Sequence, residues 1–420
     1  MRAPPTSASQ PGSSAADRSH HRSVTDPILL GPTVAGRPAS GAATIESGDR
    51  TSGTQTAQLT VIGLMSGTSM DGIDVAQLST DGRSAVETGP FTTVAYDPSL
   101  RKRLAEAVAK RGRMPADSLA ELAQDVTDAH GAAISAFLDH TGFDRDRIDL
   151  IGFHGHTIFH DPAAGMTYQI GDGYRLAAWT GIDVVSDFRA ADVAAGGQGA
   201  PLAPAYHRAL ATGLPHPVAI LNIGGVANVT YIDGDSLLAF DTGPGNAMLD
   251  DWMLRHTGTP CDRDGRTAAS GRVHHDMIET WLAEPYFAKK PPKSLDRNAF
   301  TFVGLDALSV QDGAATLTAF TIAAAQAAIA HLPRPPSRWL VTGGGRHNPV
   351  MMDGLQVSTN ALVQPVEAVD WDGDALEAQA FGYLAVRAAR CLPLSFPGTT
   401  GVPKPMTGAI YHRAPNRQNA

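Results

Sequence analysis

The chain has 420 residues, 43% of them hydrophobic, and a formal net charge of −9. An acidic balance of that size argues against nucleic acid as the main partner. Cys261 and Cys391 offer neither metal-ligand spacing nor a disulfide framework, and read as buried or half-buried thiols in a reducing cytoplasm.

Residues 1–57 contain no aromatic and no lysine and are crowded with Ser, Pro, Gly, Ala and Thr, which predicts a disordered tail. Ile28-Leu29-Leu30 is too short for the apolar region of a secretory leader. Beyond the tail no run approaches the roughly 20 apolar residues of a membrane span.

Thr60 to Leu64 reads as an apolar strand running into Met65-Ser66-Gly67-Thr68-Ser69-Met70-Asp71-Gly72, with Ile73-Asp74-Val75-Ala76 as the return strand. Gly63, Gly67 and Gly72 permit positive φ or close approach to a ligand. A nest of backbone N–H groups at such a tip suits phosphate oxygens. Asp71 and Asp74 suit a phosphate-bound Mg²⁺ held through its waters. The plainer alternative is an ordinary hairpin turn, and the glycine turns farther on weigh against it.

Helices are predicted over Pro98–Arg111 and Asp117–His140, the second capped by Asp117 or Ser118. Ile148–Phe153 is a strand ending at His154-Gly155-His156-Thr157, and Ile182–Val185 one ending at Ser186-Asp187-Phe188-Arg189. Val218–Leu221 leads into Asn222-Ile223-Gly224-Gly225, followed by a second apolar run, Val229–Ile232. Ala239-Phe240 precedes Asp241-Thr242-Gly243-Pro244-Gly245-Asn246, and Trp339–Val341 precedes Thr342-Gly343-Gly344-Gly345. Helices are expected at Ala247–His256, Ala314–His331 and Ala375–Cys391. Strands alternating with helices indicate α/β layers. Polar and glycine residues gather after strand C-ends, where such sheets take ligands. The turn after Leu64 is echoed by the turn after Leu221, which fits a clamp with a phosphate turn from each half. No P-loop or dinucleotide fingerprint is present.

In their order, the turns Met65–Gly72, Asn222–Gly225, Asp241–Asn246 and Gly343–Gly345 resemble those of the anhydro-N-acetylmuramic acid kinases. His154-Gly155, Gln169-Ile170-Gly171, Asp187-Phe188-Arg189 and Gly196-Gly197-Gln198-Gly199-Ala200-Pro201-Leu202 extend the likeness over about residues 58–412. The resemblance implies an α/β, two-lobed actin-like ATPase (ribonuclease H-like) architecture with a central cleft. Its expected parts are lobe I at 58–200 plus 378–412 and lobe II at 201–377. It implies an ATP- and Mg²⁺-dependent kinase that opens the 1,6-anhydro ring of anhydro-N-acetylmuramic acid with water and phosphorylates O6, in cell-wall recycling. The expected partner is that small anhydro amino sugar, with no nucleic acid and no membrane; a homodimer is left open.

Asp241 is the expected general base. Gly67, Thr68, Ser69, Met70, Asp71, Gly72, Ile73 and Asp74 form the first ATP turn and Asn222, Gly224 and Gly225 the second. Gly343, Gly344, Gly345 and Asn348 would meet the adenosine, aided by the following helix N-terminus. His154, Arg189, Gln198, Asn246 and Glu377 are expected at the sugar, Arg189 gripping a carboxylate, unless it pairs with Asp187 or Asp192. Glu377 is as well explained by helix-surface charge. His154, His156 and His160 lack a third ligand in fixed geometry for a metal; His154 reads as bonding sugar or backbone. The family commonly carries Gln where His156 stands. Lys293–Phe300 keeps the family's Lys293, Ser294, Arg297 and Phe300 but has lost its Thr-Gly turn. The rival readings are a levoglucosan-type kinase, which needs no carboxylate-binding Arg, and a non-catalytic nucleotide-binding module.

Overall fold

Two sheets with the same internal order make up the described chain, which in this computed structural model comprises residues 57–67, 70–295, 300 and 302–415. The tail up to residue 56, Thr68, Ser69 and Arg297 lie outside the described residues. The first sheet contains β1 (Leu59–Ser66), β2 (Gly72–Thr80), β3 (Val86–Ala95), β4 (Leu150–Asp161), β5 (Met166–Ile170) and β6 (Asp183–Ser186). The second contains β7 (Val218–Ile223), β8 (Val226–Asp233), β9 (Ser236–Pro244), β10 (Arg338–Thr342) and β11 (Leu362–Pro365). A last short strand, β12 (Ile410–His412), returns to the edge of the first sheet beside β6.

Each sheet starts as an antiparallel meander and then adds parallel strands on the other side of its first strand. The orders are β3-β2-β1-β4-β6 and β9-β8-β7-β10-β11. This repeated ribonuclease H-like order is the two-lobed actin-like ATPase architecture. It also turns the short echo between Leu64 and Leu221 into a true structural repeat.

The central strands β1, β7 and β10 are apolar on both faces because both are covered. Along β1, Val61 enters a core shared with the second sheet, whereas Ile62 and Leu64 enter the outer core of the first. Between the sheets lie the helices Pro204–Leu210 and Leu376–Ala389. The latter rests directly on β1 and β4: a Cβ at Gly63 would stand 1.7 Å from the Ala378 carbonyl oxygen, and one at Gly152 2.2 Å from that of Phe381. Gly63 therefore serves helix packing, not positive φ or ligand approach. Gly72 likewise lies against Thr93 and Val94 of β3.

Several other expectations are corrected. The helix Ala116–Thr141 has Pro115 at its N-cap without a side-chain bond, and Asp117 sits in its first turn. β4 does not stop at Phe153 but runs through His154 and His156 to Asp161, because β5 supplies partners from His156 onward. Both cysteines are exposed. The helix Val310–Ala327 with its 3₁₀ end is long and apolar enough to cross a membrane, yet Ala314, Leu317, Phe320 and Ala324 pack into the core of the second sheet.

Candidate active site

The glycine turns of the second sheet are stitched to one another. Asn246 N donates to the Gly224 carbonyl at 2.7 Å, and Gly245 N to that of Gly225 at 3.0 Å. Asn246 Nδ2 donates to the Ile223 carbonyl at 2.9 Å. Gly343, at φ 73°, fits only without a side chain, since a Cβ would lie 2.3 Å from Asn222 Oδ1. Gly224, Gly225, Gly245, Gly343 and Gly345 thus form one small-residue floor where backbone can approach a phosphate or a nucleoside.

Arg346, 8% exposed, locks this floor. Its Nε donates to Glu367 at 2.8 Å, Nη1 to the Gly343 carbonyl at 3.1 Å, and Nη2 meets Asp374 at 2.9 Å. Sequence reasoning passed over this residue, although an arginine directly behind three glycines was its signal. Asn348 uses its side-chain oxygen to cap the helix Pro349–Thr359, accepting from Val350 N at 3.0 Å.

On the other side, the turn from β1 to β2 closes through Met70 N donating to the Gly67 carbonyl at 3.1 Å, with Met70 at φ 54°. Asp74 is paired in register with Met65 and accepts from Thr93 Oγ1 at 2.6 Å. Burial raises its carboxyl to about 6, and the charges of Glu377, Asp71 and Asp374 push the same way. Glu377, in the first turn of Leu376–Ala389, accepts from Asn222 Nδ2 at 3.2 Å and so ties the inner helix to the second glycine turn. Desolvation raises it too, opposed by Arg189. Glu377 is itself exposed where it meets Asn222. Among the described residues, no three His, Cys, Asp or Glu groups converge to hold a metal directly.

Ser66, last residue of β1, is held by two groups. Tyr96 Oη donates to its hydroxyl at 2.8 Å, and His156 Nδ1 lies 2.9 Å away. The parallel register that pairs Ser66 with His156 creates this contact across 90 positions of sequence. Desolvation lowers His156 to about 4, so the ring is neutral.

Arg189 pairs with neither Asp187 nor Asp192. Its Nε donates to His154 Nε2 at 3.0 Å and its Nη1 to the Gly199 carbonyl at 2.8 Å. Burial brings it down to about 10, still charged at neutral pH. Asp192 instead accepts from Gly199 N and Thr400 Oγ1, each at 2.6 Å, and from Ser395 Oγ. It fixes the loop that presents Gln198. His154 bonds backbone through Nδ1 to the Gly155 oxygen, 3.0 Å away.

Asp241 lies inside β9, not beyond it. The pairing of β8 with β9 slips beside it, between Ala227 and Asn228, and such bulges re-aim side chains. Leu295 N donates to Asp241 Oδ2 at 2.7 Å and Asp241 N to the Lys293 carbonyl at 3.0 Å. Burial raises this carboxyl to about 7; the Leu295 N–H and Lys293 pull the other way. Lys293, 3% exposed, spends its ammonium on the Tyr286 and Phe287 carbonyls at 3.1 and 3.2 Å. A separate cavity of about 380 Å³, lined by Thr88, Thr212 and Trp371, contains none of these site groups.

The family model described as anhydro-N-acetylmuramic acid kinase matches residues 59–413. A relative of that name from Paramagnetospirillum magneticum is 55% identical, with 84% of this chain and 99% of the relative covered. One from Rhodospirillum rubrum is 52% identical, with 83% and 93% covered. A ROK family glucokinase from Streptomyces griseus, solved with glucose and AMPPNP, is 15% identical at a TM-score of 0.37, covering 78% of this chain and 99% of that one.

Proposed function

The chain belongs to the anhydro-N-acetylmuramic acid kinase family, and we propose on that premise that Asp241 is the general base of its reaction. The enzyme uses ATP and water to convert 1,6-anhydro-N-acetylmuramic acid into N-acetylmuramic acid 6-phosphate and ADP. Water adds at C1, the C1–O6 bond breaks, and O6 takes the γ-phosphoryl group. The observation that carries the role of Asp241 is a half-buried carboxyl raised to about 7 and gripped by one backbone N–H, in line with the stitched glycine turns. A base poised near neutrality is suited to taking a proton from water.

The turns Gly67–Asp74 and Asn222–Gly225 would cradle the phosphates, and Gly343–Gly345 the nucleoside, with 58–200 plus 378–412 and 201–377 as the two lobes. Crowding of Asp74, Glu377, Asp71 and Asp374 fits a site where a cation relieves repulsion. Mg²⁺ bound to the phosphates and meeting these carboxylates through waters would neutralise charge on the transferred group. Arg189 would hold the lactyl carboxylate, with Gln198 and Asn246 at the sugar. A cytoplasmic setting suits the chemistry of cell-wall recycling.

Turnover in ¹⁸O-water tests this reading. Mass spectrometry is expected to find label at C1 and phosphate on O6. Label in released phosphate overturns it. ATP binding without phosphorylation of any anhydro sugar would indicate a nucleotide-binding module instead.

A further inference from the structure

The base and the first lobe are joined by a continuous run of hydrogen bonds. Ser294 Oγ donates to Gln198 Oε1 at 2.9 Å. The next residue, Leu295, gives its N–H to Asp241 Oδ2, and the preceding one, Lys293, accepts from Asp241 N. Ser294 is thus the middle link of a three-residue splint along the base.

The two ends of this splint are held differently. At Lys293 it is anchored within the second lobe by the buried ammonium on Tyr286 and Phe287. At Ser294 its hold is on the first lobe. Gln198 is a stiff post there: its N–H donates to the Thr400 carbonyl at 2.6 Å, and its carbonyl accepts from His160 Nε2 at 2.8 Å. With Nε2 donating, the other nitrogen of a neutral His160 accepts the Thr167 hydroxyl at 2.9 Å. Gln169 Nε2 donates to that hydroxyl oxygen at 2.8 Å.

We propose that Ser294 and Gln198 form a tie between the lobes that keeps the Leu295 N–H on Asp241, making both positioning residues for the base. The inference rests on Asp241 being that base. An N–H donated to a carboxylate favours its charged form. Parting of the lobes breaks the Ser294–Gln198 bond, frees Leu295 and returns Asp241 toward its protonated, inactive form. Water activation is then coupled to a closed cleft, which guards ATP against hydrolysis without sugar.

The test is the pH profile of kcat/KM for wild type, Ser294→Ala and Ser294→Thr, with anhydro-N-acetylmuramic acid and ATP. Ser294→Ala is expected to move the acidic limb toward higher pH by about one unit, a roughly tenfold loss on that limb, with most activity recovered on the alkaline plateau. Ser294→Thr, which keeps the hydroxyl, is expected to follow wild type. A uniform loss at every pH, or no change, overturns the tie. Asp241→Asn run alongside separates the two readings: if it still turns over, the assignment of the base fails; if it is inactive while Ser294→Ala leaves the limb in place, only the tie fails.

Discussion

Arg189 donates its Nε proton to Nε2 of His154, which fixes that imidazole in one tautomer. A guanidinium has no acceptor, so His154 Nε2 must be bare and Nδ1 must carry the proton given to the Gly155 carbonyl. Burial and the Arg189 charge hold His154 far below the usual histidine range. The pair presents a single oriented cation beside the Gly199 carbonyl.

Arg189→Ala is therefore expected to raise KM for the carboxylate-bearing sugar about 10- to 100-fold, the scale of a charge-assisted hydrogen bond. Levoglucosan, which lacks the carboxylate, should show no matching loss. Steady-state kinetics on both sugars reads the difference, and equal losses would reject the carboxylate role.

Asp241→Asn should lower kcat by about 10²- to 10⁴-fold while calorimetry still registers both substrates. The same change should stabilise the fold at neutral pH. A carboxyl raised to about 7 binds its proton more tightly folded than unfolded. Its contribution to stability is full below the unfolded value and falls as pH rises to about 7. Thermal melts at pH 8 should favour the variant by the order of a few kcal/mol, with the gap closing toward pH 4.

His156→Gln should keep activity within about twofold, because a side-chain amide can still bond Ser66 and the ring it replaces is already neutral. Tyr96→Phe removes the other hold on Ser66 and should raise KM for ATP more than His156→Gln does. ATP titration of both variants checks the order.

Gly343→Ala should weaken ATP binding at least tenfold, since it combines a positive φ with a Cβ 2.3 Å from Asn222 Oδ1. Gly63→Ala should act differently, costing about 3 kcal/mol or more of stability through overpacking against the Ala378 carbonyl. Urea unfolding distinguishes a binding loss from a folding loss.

The glycine turns were readable because each follows an apolar run, and local spacing suffices to mark such an end. Asp241 was singled out by the same route, yet its position within β9 was not legible, because the slip in pairing beside Asn228 depends on the partner strand. The extension of β4 through His154 and His156 was hidden for a like reason: its polar residues look like a loop until β5 lies beside them. Ser66 and His156 meet only through a parallel register between distant segments. Gly63 was legible as a close-approach position, but what approaches it is the Leu376–Ala389 helix, some 300 residues on.

The core shared by both sheets has a consequence for how this protein comes apart. Val61 and Leu150 of the first sheet, Ile220 and Leu340 of the second, and Leu384 of the inner helix are walls of one apolar volume. Neither lobe owns that volume, so neither can melt without exposing the other's floor. Heating should give a single calorimetric peak whose van't Hoff and calorimetric enthalpies agree.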